Sequence, residues 1–173
     1  MNEDLINLVD ESGNRIGTVE KLEAHKTGVL HEAFSIFVFN KNKELLLQKR
    51  NPLKYHSGGL WSNTCCSHAR EGEDLNIATH RRLQEEMGID CDLKELFTFT
   101  YKVQLENGLI EHEFDHVFIG YFDNMPNINT EEASDFKYVD LEKLKNDIET
   151  NPEQYTTWLR IIINDTDFID KVK

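Results

Sequence analysis

Short apolar stretches separated by polar turns occupy the first fifty residues and predict β-strands joined in pairs. Leu5–Val9 and Arg15–Val19 are separated by Glu-Ser-Gly-Asn, and Ala33–Phe39 and Glu44–Gln48 are separated by Asn-Lys-Asn-Lys. Glycine and asparagine favour the tight turns that connect neighbouring antiparallel strands. The pattern therefore predicts two hairpins in this part of the chain.

The first segment whose apolar residues have helical spacing follows a polar, glycine-containing loop at 51–59. Acidic residues precede the segment from Asp74 to Met87, and Gly88 is suited to end a helix there. The apolar residues that recur at helical spacing are Leu75, Ala78, Leu83 and Met87. The segment is therefore predicted to be a helix with one apolar face.

A longer hairpin is predicted further along the chain, where Leu96–Leu105 and Ile110–Phe122 flank a Glu-Asn-Gly segment. Asn-Gly is the strongest short signal for a hairpin turn. Phe136–Val139 has the composition of one more short strand.

Two helices are predicted near the C-terminal end. Asp140–Ile148 has a helical pattern, and Asn151-Pro152 places proline near the first position of a final helix. The apolar stripe of that final helix consists of Tyr155, Trp158, Leu159, Ile162 and Ile163. Several hairpins with two or three helices predict an α+β or mixed α/β sandwich. The length of 173 residues predicts a single domain over residues 1–173.

The charge of the chain excludes two classes of partner. Asp and Glu number 32 against 19 for Lys and Arg, so the formal net charge is −13. Nucleic acids and anionic membranes attract basic surfaces, so neither is an expected partner. The sequence has no apolar run of the ~18 residues that a membrane span needs, and its start has acids where a signal peptide has basic residues. We expect a cytoplasmic protein.

Alternation in the segment Glu111–His116 places three carboxylates on one face of a predicted strand. These are Glu111, Glu113 and Asp115. A solvated strand face is the ordinary interpretation of such a pattern. The residues that follow, 117–122, are almost wholly apolar, so the strand is predicted to enter the core. Acids near an interior need a partner, and a metal ion is a suitable one.

Three of the seven histidines, His25, His31 and His68, lie in segments that also contain glutamates or cysteines. Each one alone is more often an ordinary polar side chain than a ligand. Together with two carboxylates from one strand face they would form a site of three nitrogens and two oxygens. Mixed imidazole and carboxylate donors suit Zn, Mn or Fe.

Cysteine usage points to free thiols. Three cysteines are present, and Cys65 and Cys66 are adjacent, so a disulfide framework is not expected. If residues 61–68 are extended, Cys66 and His68 share one face and Cys65 points away. Two inert buried cysteines are the ordinary interpretation. A thiol beside a metal-bound histidine would instead be placed for proton transfer or nucleophilic attack, and Cys91, without such neighbours, is predicted to be structural.

The predicted helix carries the most specific motif. Glu73 and the run Arg81–Ile89 closely resemble the second half of the Nudix box, Gly-x5-Glu-x7-Arg-Glu-U-x-Glu-Glu-x-Gly-U. Ser67 replaces the first glycine, and Arg82 replaces a glutamate that helps Nudix hydrolases to hold Mg²⁺. Ordinary helix pairs between arginine and glutamate would contribute only ~0.2 to 0.5 kcal/mol each. The arginine removes a metal ligand and adds a fork that can bind phosphate.

With that substitution, four further segments complete a resemblance to the type 1 isopentenyl-diphosphate isomerase family. The segments are 20–25, 30–35, 61–68 and 111–113, and the resemblance runs from about Leu5 to Trp158. It implies the Nudix-type fold, a mixed β-sheet sandwiched between helices, in a single domain. It also implies an enzyme that interconverts isopentenyl and dimethylallyl diphosphates by protonation and deprotonation. The expected partner is therefore a small prenyl diphosphate, bound by a monomer or a homodimer.

The resemblance also assigns roles to individual residues. It implies Cys66 and Glu113 as the catalytic pair, with Tyr101 assisting. A first divalent metal, Mn²⁺, Mg²⁺ or Zn²⁺, would be held by His25, His31, His68, Glu111 and Glu113. Mg²⁺ carried by the diphosphate would be bound by Glu86 and the backbone carbonyl of Cys66. The implied substrate-binding residues are Lys21, Arg50, Lys54, Arg82 and Trp158. Because the net charge of −13 repels a diphosphate, capture would depend on these local cations and on the Mg²⁺.

Two alternatives are compatible with the same motifs. A Nudix diphosphohydrolase would use Glu85 and Glu86 to bind Mg²⁺ and water as the nucleophile. A non-catalytic module that binds diphosphates would bind its ligand without turnover. Cys66, Glu113 and the three histidines argue against the second alternative.

Overall fold

Nine β-strands of one mixed sheet and five α-helices make up residues 4–172, the part of the chain that the computed structural model describes. Residues 1–3 and 173, the two ends of the predicted domain, lie outside the described residues. The strands are β1 (Leu5–Val9), β2 (Arg15–Glu20), β3 (His31–Phe39), β4 (Leu45–Arg50), β5 (Trp61–Ser62), β6 (Cys65–Ser67), β7 (Leu93–Gln104), β8 (Ile110–Tyr121) and β9 (Ala133–Val139). The helices are α1 (Lys21–Thr27), α2 (Leu75–Met87), α3 (Leu141–Thr150), α4 (Thr157–Ile163) and α5 (Thr166–Val172).

Local sequence signals account for several of these elements. Strands β1 and β2 form the first predicted hairpin, and β7 and β8 form the predicted long one. Helix α2 begins after Asp74, whose side chain accepts hydrogen bonds from the backbone N–H groups of Asn76 and Ile77. It ends at Gly88, which has a φ of 63°. These three predictions are confirmed.

The predicted hairpin of β3 and β4 forms, but only next to its turn. The two strands pair only at Phe39 and Leu45. Strand β3 instead runs parallel to β8 along its whole length, and β4 pairs with β9. Every residue of β3 is buried, as expected for a strand covered on both faces, and central parallel strands have this continuous apolar pattern.

Helices cover both faces of the sheet. Phe37, Phe39 and Val117 belong to a core cluster shared with α3, α4 and α5, whereas Phe34 and Ile36 belong to a cluster shared with α2. Alternate residues of a strand point to opposite faces, so β3 supplies both clusters. The predicted Nudix-type architecture, a mixed sheet between helices, is confirmed.

The final predicted helix begins later than expected. A single 3₁₀ turn covers Pro152–Gln154, Tyr155 is extended, and α4 starts at Thr157. Tyr155 pairs with Trp61 in a parallel bridge, and its hydroxyl donates a hydrogen bond to Asp147. These tertiary contacts hold Tyr155 out of the helix, although the predicted apolar stripe is still buried.

Membrane insertion through a helix is not indicated. Within residues 4–172, each helix is too short or too polar to cross a lipid bilayer.

Candidate active site

Four neighbouring strands bring the predicted catalytic residues to one face of the sheet. The parallel register of β3 and β8 places His31 beside Glu113, and the antiparallel register of β7 and β8 places Tyr101 on the other side of Glu113. Cys66 pairs with Ser35 on the opposite flank of β3. Residues that are paired across strands point to the same face, so β6, β3, β8 and β7 present these side chains together.

His25 reaches the same place from α1. The Glu20 side chain caps the start of this helix by accepting hydrogen bonds from the backbone N–H groups of Leu22 and Glu23, and Gly28 ends it with a φ of 66°. His25 is fully buried, and its ring centroid lies 5.1 Å from that of His31 and 5.8 Å from that of His68. We refer to His25, His31, His68, Glu111 and Glu113 as the histidine–carboxylate cluster.

Backbone carbonyls determine the tautomers of two of these histidines. Nδ1 of His25 lies 2.6 Å from the carbonyl oxygen of Lys21, and Nδ1 of His31 lies 2.9 Å from that of Val29. A carbonyl only accepts, so Nδ1 carries the hydrogen in both rings and Nε2 carries a lone pair. Both Nε2 atoms are buried and have no hydrogen-bond partner among the described residues. They are therefore suited to bind a cation.

The carboxylates face these nitrogens. Nε2 of His25 lies 3.3 Å from Oε2 of Glu111, and neither atom makes a hydrogen bond within residues 4–172. Oε1 of Glu113 lies 3.1 Å from Nε2 of His68 and 3.6 Å from Nε2 of His31. One donor atom from each of His25, His31, His68 and Glu113 lies within 4.8 Å of the others. Lone pairs that face one another at these distances are stabilised by a shared cation, so the donor set fits a divalent metal.

Burial favours the neutral forms of His25 and His68. It lowers the pKa of His25, and it lowers the pKa of His68 to about 3. Burial, followed by the nearby Glu113 carboxylate, raises the pKa of Glu111 well above its usual range. Although burial acts in the same sense on Glu113, the close contacts of its carboxylate with the imidazoles of His31 and His68 hold its pKa well below that range. Neutral imidazoles with one ionised carboxylate are the protonation states that metal binding requires.

Cys66 and Tyr101 both hold protons next to Glu113. The Tyr101 hydroxyl donates a 2.6 Å hydrogen bond to Oε2 of Glu113. Burial, then the charge of Glu113, raises the pKa of Tyr101 and of Cys66 well above their usual values. Cys66 and Glu113 line one cavity, whereas Cys65 lies in the core cluster beneath α2. The predicted alternation of the two cysteines is confirmed.

Trp158 forms part of the wall of this cavity. It is almost fully buried on α4, and its indole N–H lies 3.0 Å from Oγ of Ser62 and 3.2 Å from Oδ1 of Asn63. These contacts orient the ring, and Cζ of Arg50 lies 5.4 Å from its centroid. One cation of the site, the Arg50 guanidinium, therefore already lies near the indole ring.

The cavity is also lined by cations. The four predicted cations, here called the cationic group, all line it: Lys21, Arg50, Lys54 and Arg82. Burial and then the neighbouring Arg82 charge lower the pKa of Lys21. In a protein of net charge −13, these cations lie among glutamates that line the same cavity.

Arg82 is held in place by acids and by the serine that interrupts the Nudix box. Its guanidinium lies 2.6 Å from carboxylate oxygens of both Glu85 and Glu86, and Nε donates to Oγ of Ser67 at 3.1 Å. Glu86 also accepts a 2.8 Å hydrogen bond from the amide of Gln48. Although burial opposes its charge, the pKa of Arg82 is raised, chiefly by Glu86. Glu85 and Glu86 of the box are therefore both paired with a cation.

Among the cavity residues that sequence reasoning missed are His56 and Glu132. Nε2 of His56 lies 3.4 Å from Oε1 of Glu111, and burial lowers the pKa of this histidine to about 2. Glu132 forms ion pairs with Lys54 and with Arg82. Both residues lie in loops without periodic patterns, so only their proximity in the fold reveals them.

Comparisons with known proteins first establish the class. Residues 29–159 match the NUDIX domain model. A crystal structure of DR0079 from Deinococcus radiodurans has a TM-score of 0.77 at 18% identity and covers 92% of this chain and 96% of its own. A MutT protein from Methanosarcina mazei has a TM-score of 0.64 at 18% identity, with 83% and 92% covered. Together with the site, these similarities define a protein with a NUDIX domain.

Curated relatives then narrow the assignment. An Isopentenyl-diphosphate Delta-isomerase 2 from Aromatoleum aromaticum is 54% identical over 157 residues, which cover 91% of this chain and 83% of the relative. A protein of the same name from Photorhabdus laumondii is 52% identical, with 97% and 95% covered. The chain therefore belongs to the isopentenyl-diphosphate Delta-isomerase family. The predicted family and the predicted enzyme class are confirmed.

Proposed function

We propose that this isomerase interconverts isopentenyl and dimethylallyl diphosphates with Cys66 and Glu113 as the two groups that move protons. The observation that carries this assignment is that both side chains line one buried cavity next to Trp158. The predicted roles of the other residues follow from their positions around that pair.

The reaction explains why two groups are needed. Moving an unactivated double bond requires one proton to be added at the terminal carbon and another to be removed from the carbon on the far side of the branch. One member of the pair donates to the alkene, the other accepts the departing proton, and their roles exchange in the reverse direction. Tyr101, hydrogen bonded to Glu113 at 2.6 Å, orients that carboxyl group and can pass it a proton.

The intermediate is a tertiary carbocation, which must be kept from water. Trp158 presents its ring to the cavity, and a desolvated cation over an indole is stabilised by about 0.5 to 2 kcal/mol. The cavity that these residues line measures about 50 Å³.

The histidine–carboxylate cluster is the proposed site of a divalent metal, Mn²⁺, Mg²⁺ or Zn²⁺. Buried donor atoms support this proposal because they have no hydrogen-bond partners among the described residues. The clearest examples are Nε2 of His25 and Nε2 of His31. When bound, a divalent cation would stabilise the ionised carboxylates and alter the acidity of Glu113. His25 and His31 are oriented for this by their hydrogen bonds to backbone carbonyls.

The cationic group is the proposed site of the diphosphate. Glu86, with the backbone carbonyl of Cys66, is the proposed ligand of the Mg²⁺ that the diphosphate carries. Both oxygens of Glu86 already accept hydrogen bonds, from Arg82 and Gln48, and each retains a lone pair for a cation. The charges in the site support a bound Mg²⁺, because the cation would offset the repulsion between the diphosphate and the acids already present.

A cytoplasmic location, a single catalytic domain over residues 1–173 and a monomeric or homodimeric state are also part of the proposal. Cys66 must be a free thiol to act, and the cytosol keeps thiols reduced. Cell fractionation and analytical ultracentrifugation test these points.

One experiment tests the proposed chemistry. The protein is incubated with isopentenyl diphosphate and Mg²⁺ in D₂O and followed by NMR. Deuterium should enter the methyl groups of dimethylallyl diphosphate, because the added proton comes from groups that exchange with solvent. Release of phosphate or diphosphate would instead identify a hydrolase, and binding without turnover would identify a non-catalytic module.

A further inference from the structure

We infer that His56 is a positioning residue that donates a hydrogen bond to Oε1 of Glu111 and thereby turns Oε2 of that carboxylate toward His25. The inference rests on the proposed metal site and adds a residue that no sequence motif assigns to it. Nε2 of His56 lies 3.4 Å from Oε1 of Glu111, while Oε2 lies 3.3 Å from Nε2 of His25. The carboxylate therefore lies between the two histidines.

Glu111 needs such a partner. It is buried, and its Oε2 makes no hydrogen bond within residues 4–172. A glutamate has three rotatable side-chain bonds, so the strand alone does not determine where its oxygens point. Carboxylates that bind metals are usually oriented by a hydrogen bond to the oxygen that faces away from the ion. His56 is the residue that occupies this position.

The ring of His56 is itself held firmly. It stacks on His25 with centroids 5.5 Å apart and planes at 27°, and it meets the rings of Tyr55 and Trp158 edge-on at 4.6 and 6.0 Å. Three aromatic neighbours leave the imidazole little freedom to rotate. Its direction toward Glu111 is therefore a property of the packed site.

The tautomer required for donation is also supported. Nδ1 of His56 lies 3.3 Å from the hydroxyl oxygen of Ser57. A hydroxyl can donate to Nδ1, and the hydrogen of a neutral imidazole then lies on Nε2, facing Glu111. The contact of 3.4 Å is long for a hydrogen bond, and such contacts shorten when the site is filled.

The loop that carries His56 is tied to the rest of the site. Arg50 donates a 3.2 Å hydrogen bond to the carbonyl oxygen of His56, and the backbone N–H of Ser57 donates to Glu106 in the turn between β7 and β8. The hairpin that supplies Tyr101 and Glu113 therefore also anchors the residue that orients Glu111. His56 acts as a support of the proposed metal site, and Glu111 is the ligand through which it acts.

Affinity for Mn²⁺, measured by titrating metal-free protein and detecting free Mn²⁺ by EPR, tests this role without any assay of turnover. His56→Phe keeps a ring on His25 but removes the donor, and should weaken Mn²⁺ binding about 10- to 100-fold. His56→Gln keeps an N–H near Nε2 and should bind close to wild type. His80→Phe, a matched control at a partly exposed histidine paired with Asp90, should leave the affinity unchanged.

A double-mutant cycle identifies the route of the effect. In a Glu111→Ala background, His56→Phe should cause no further loss of Mn²⁺ affinity, because the residue through which it acts is gone. Full affinity in His56→Phe, equal losses in the Phe and Gln variants, or an undiminished effect in the Glu111→Ala background would each overturn the inference.

A different result is expected if the proposed metal site itself does not exist. Wild-type protein that binds neither Mn²⁺ nor Zn²⁺ would overturn the proposed metal site and the inference together, whereas normal binding in both wild type and His56→Phe overturns only the role of His56. If His56→Phe does not fold, judged by circular dichroism, His56→Asn replaces it, because its amide is too short to reach Glu111.

Discussion

The histidine–carboxylate cluster and the cationic group, here called the two ends of the cavity, are built in different ways. The residues of the histidine–carboxylate cluster lie mainly on paired strands. The rings of His25 and His68 are neutral, and the positions of the buried carboxylates follow from the register of β3 with β8. The cationic group consists of long side chains from α1, β4, α2 and a loop, and acids already neutralise part of its charge. The first end is therefore preorganised to bind a cation, whereas the second must exchange ion-pair partners when a diphosphate arrives.

This difference assigns different tasks to the two ends. A rigid end can hold the reacting carbon chain between Cys66 and Glu113, where small displacements reduce the rate strongly. An end of cations that are paired with acids can exchange partners, and so bind the charged group and release it again. Four substitutions separate these tasks, with the largest expected effect at the rigid end.

Removal of the thiol should have the largest effect. Cys66→Ala should lower kcat by at least ~10²- to 10⁴-fold with the fold intact, because one of the two proton carriers is lost. Steady-state kinetics and circular dichroism measure both properties. Cys91→Ala, which removes the cysteine predicted to be structural, should retain activity, and a Cys66→Ala enzyme of near-normal rate would refute the assignment.

Glu113→Gln should reduce the rate and the metal content together, since one carboxylate is assigned both roles. We expect a large loss of kcat and a clear loss of bound metal, measured by mass spectrometry of the purified protein. Glu95→Gln is the control, because Glu95 is a partly exposed glutamate on the neighbouring strand and pairs with His116. Full activity with metal retained would contradict the double role.

At the cationic end, Arg82→Gln should raise KM more than it lowers kcat. Its guanidinium lies among Glu85, Glu86 and Glu132, so its removal leaves acids facing the diphosphate. Loss of a charge-assisted contact of about 1.5 to 3 kcal/mol corresponds to a KM about 10- to 100-fold higher. Arg81→Gln, at the adjacent arginine that pairs with Glu73, should change stability and leave KM near normal. An unchanged KM in Arg82→Gln would remove this residue from the diphosphate site.

The smallest effect is expected for Glu132→Gln. Glu132 pairs with Lys54 and Arg82, so it competes with an incoming anion for the same cations. Its neutralisation should tighten the binding of inorganic diphosphate by about two- to fivefold, the scale of a partly exposed ion pair. Isothermal titration calorimetry measures this, with the exposed neighbour Glu131→Gln as the control. Weaker binding would show that the carboxylate contributes to capture.

Prediction from sequence succeeded where the signal was local. The alternation of Glu111, Glu113 and Asp115 placed all three on one buried face, as the burial of β8 confirms. The hairpin of β7 and β8 and the ends of α2 were likewise predicted from their own residues. The predicted hairpin of β3 and β4 forms only next to its turn, because β3 pairs along its whole length with β8, about eighty residues further along the chain. No pattern within β3 encodes that choice.

Sequence by itself determined the residue types at the site, the face of the strand that carries the acids, and the family to which the chain is similar. Tertiary structure alone decided that His31 lies beside Glu113 and that His56, from a loop without a periodic pattern, contacts Glu111. It also decided that Glu132 forms ion pairs with two of the cations. The physical reason is that hydrophobic periodicity reports which way a side chain points along its own element. Contacts between distant segments depend on how complete elements pack, and that depends on the whole chain.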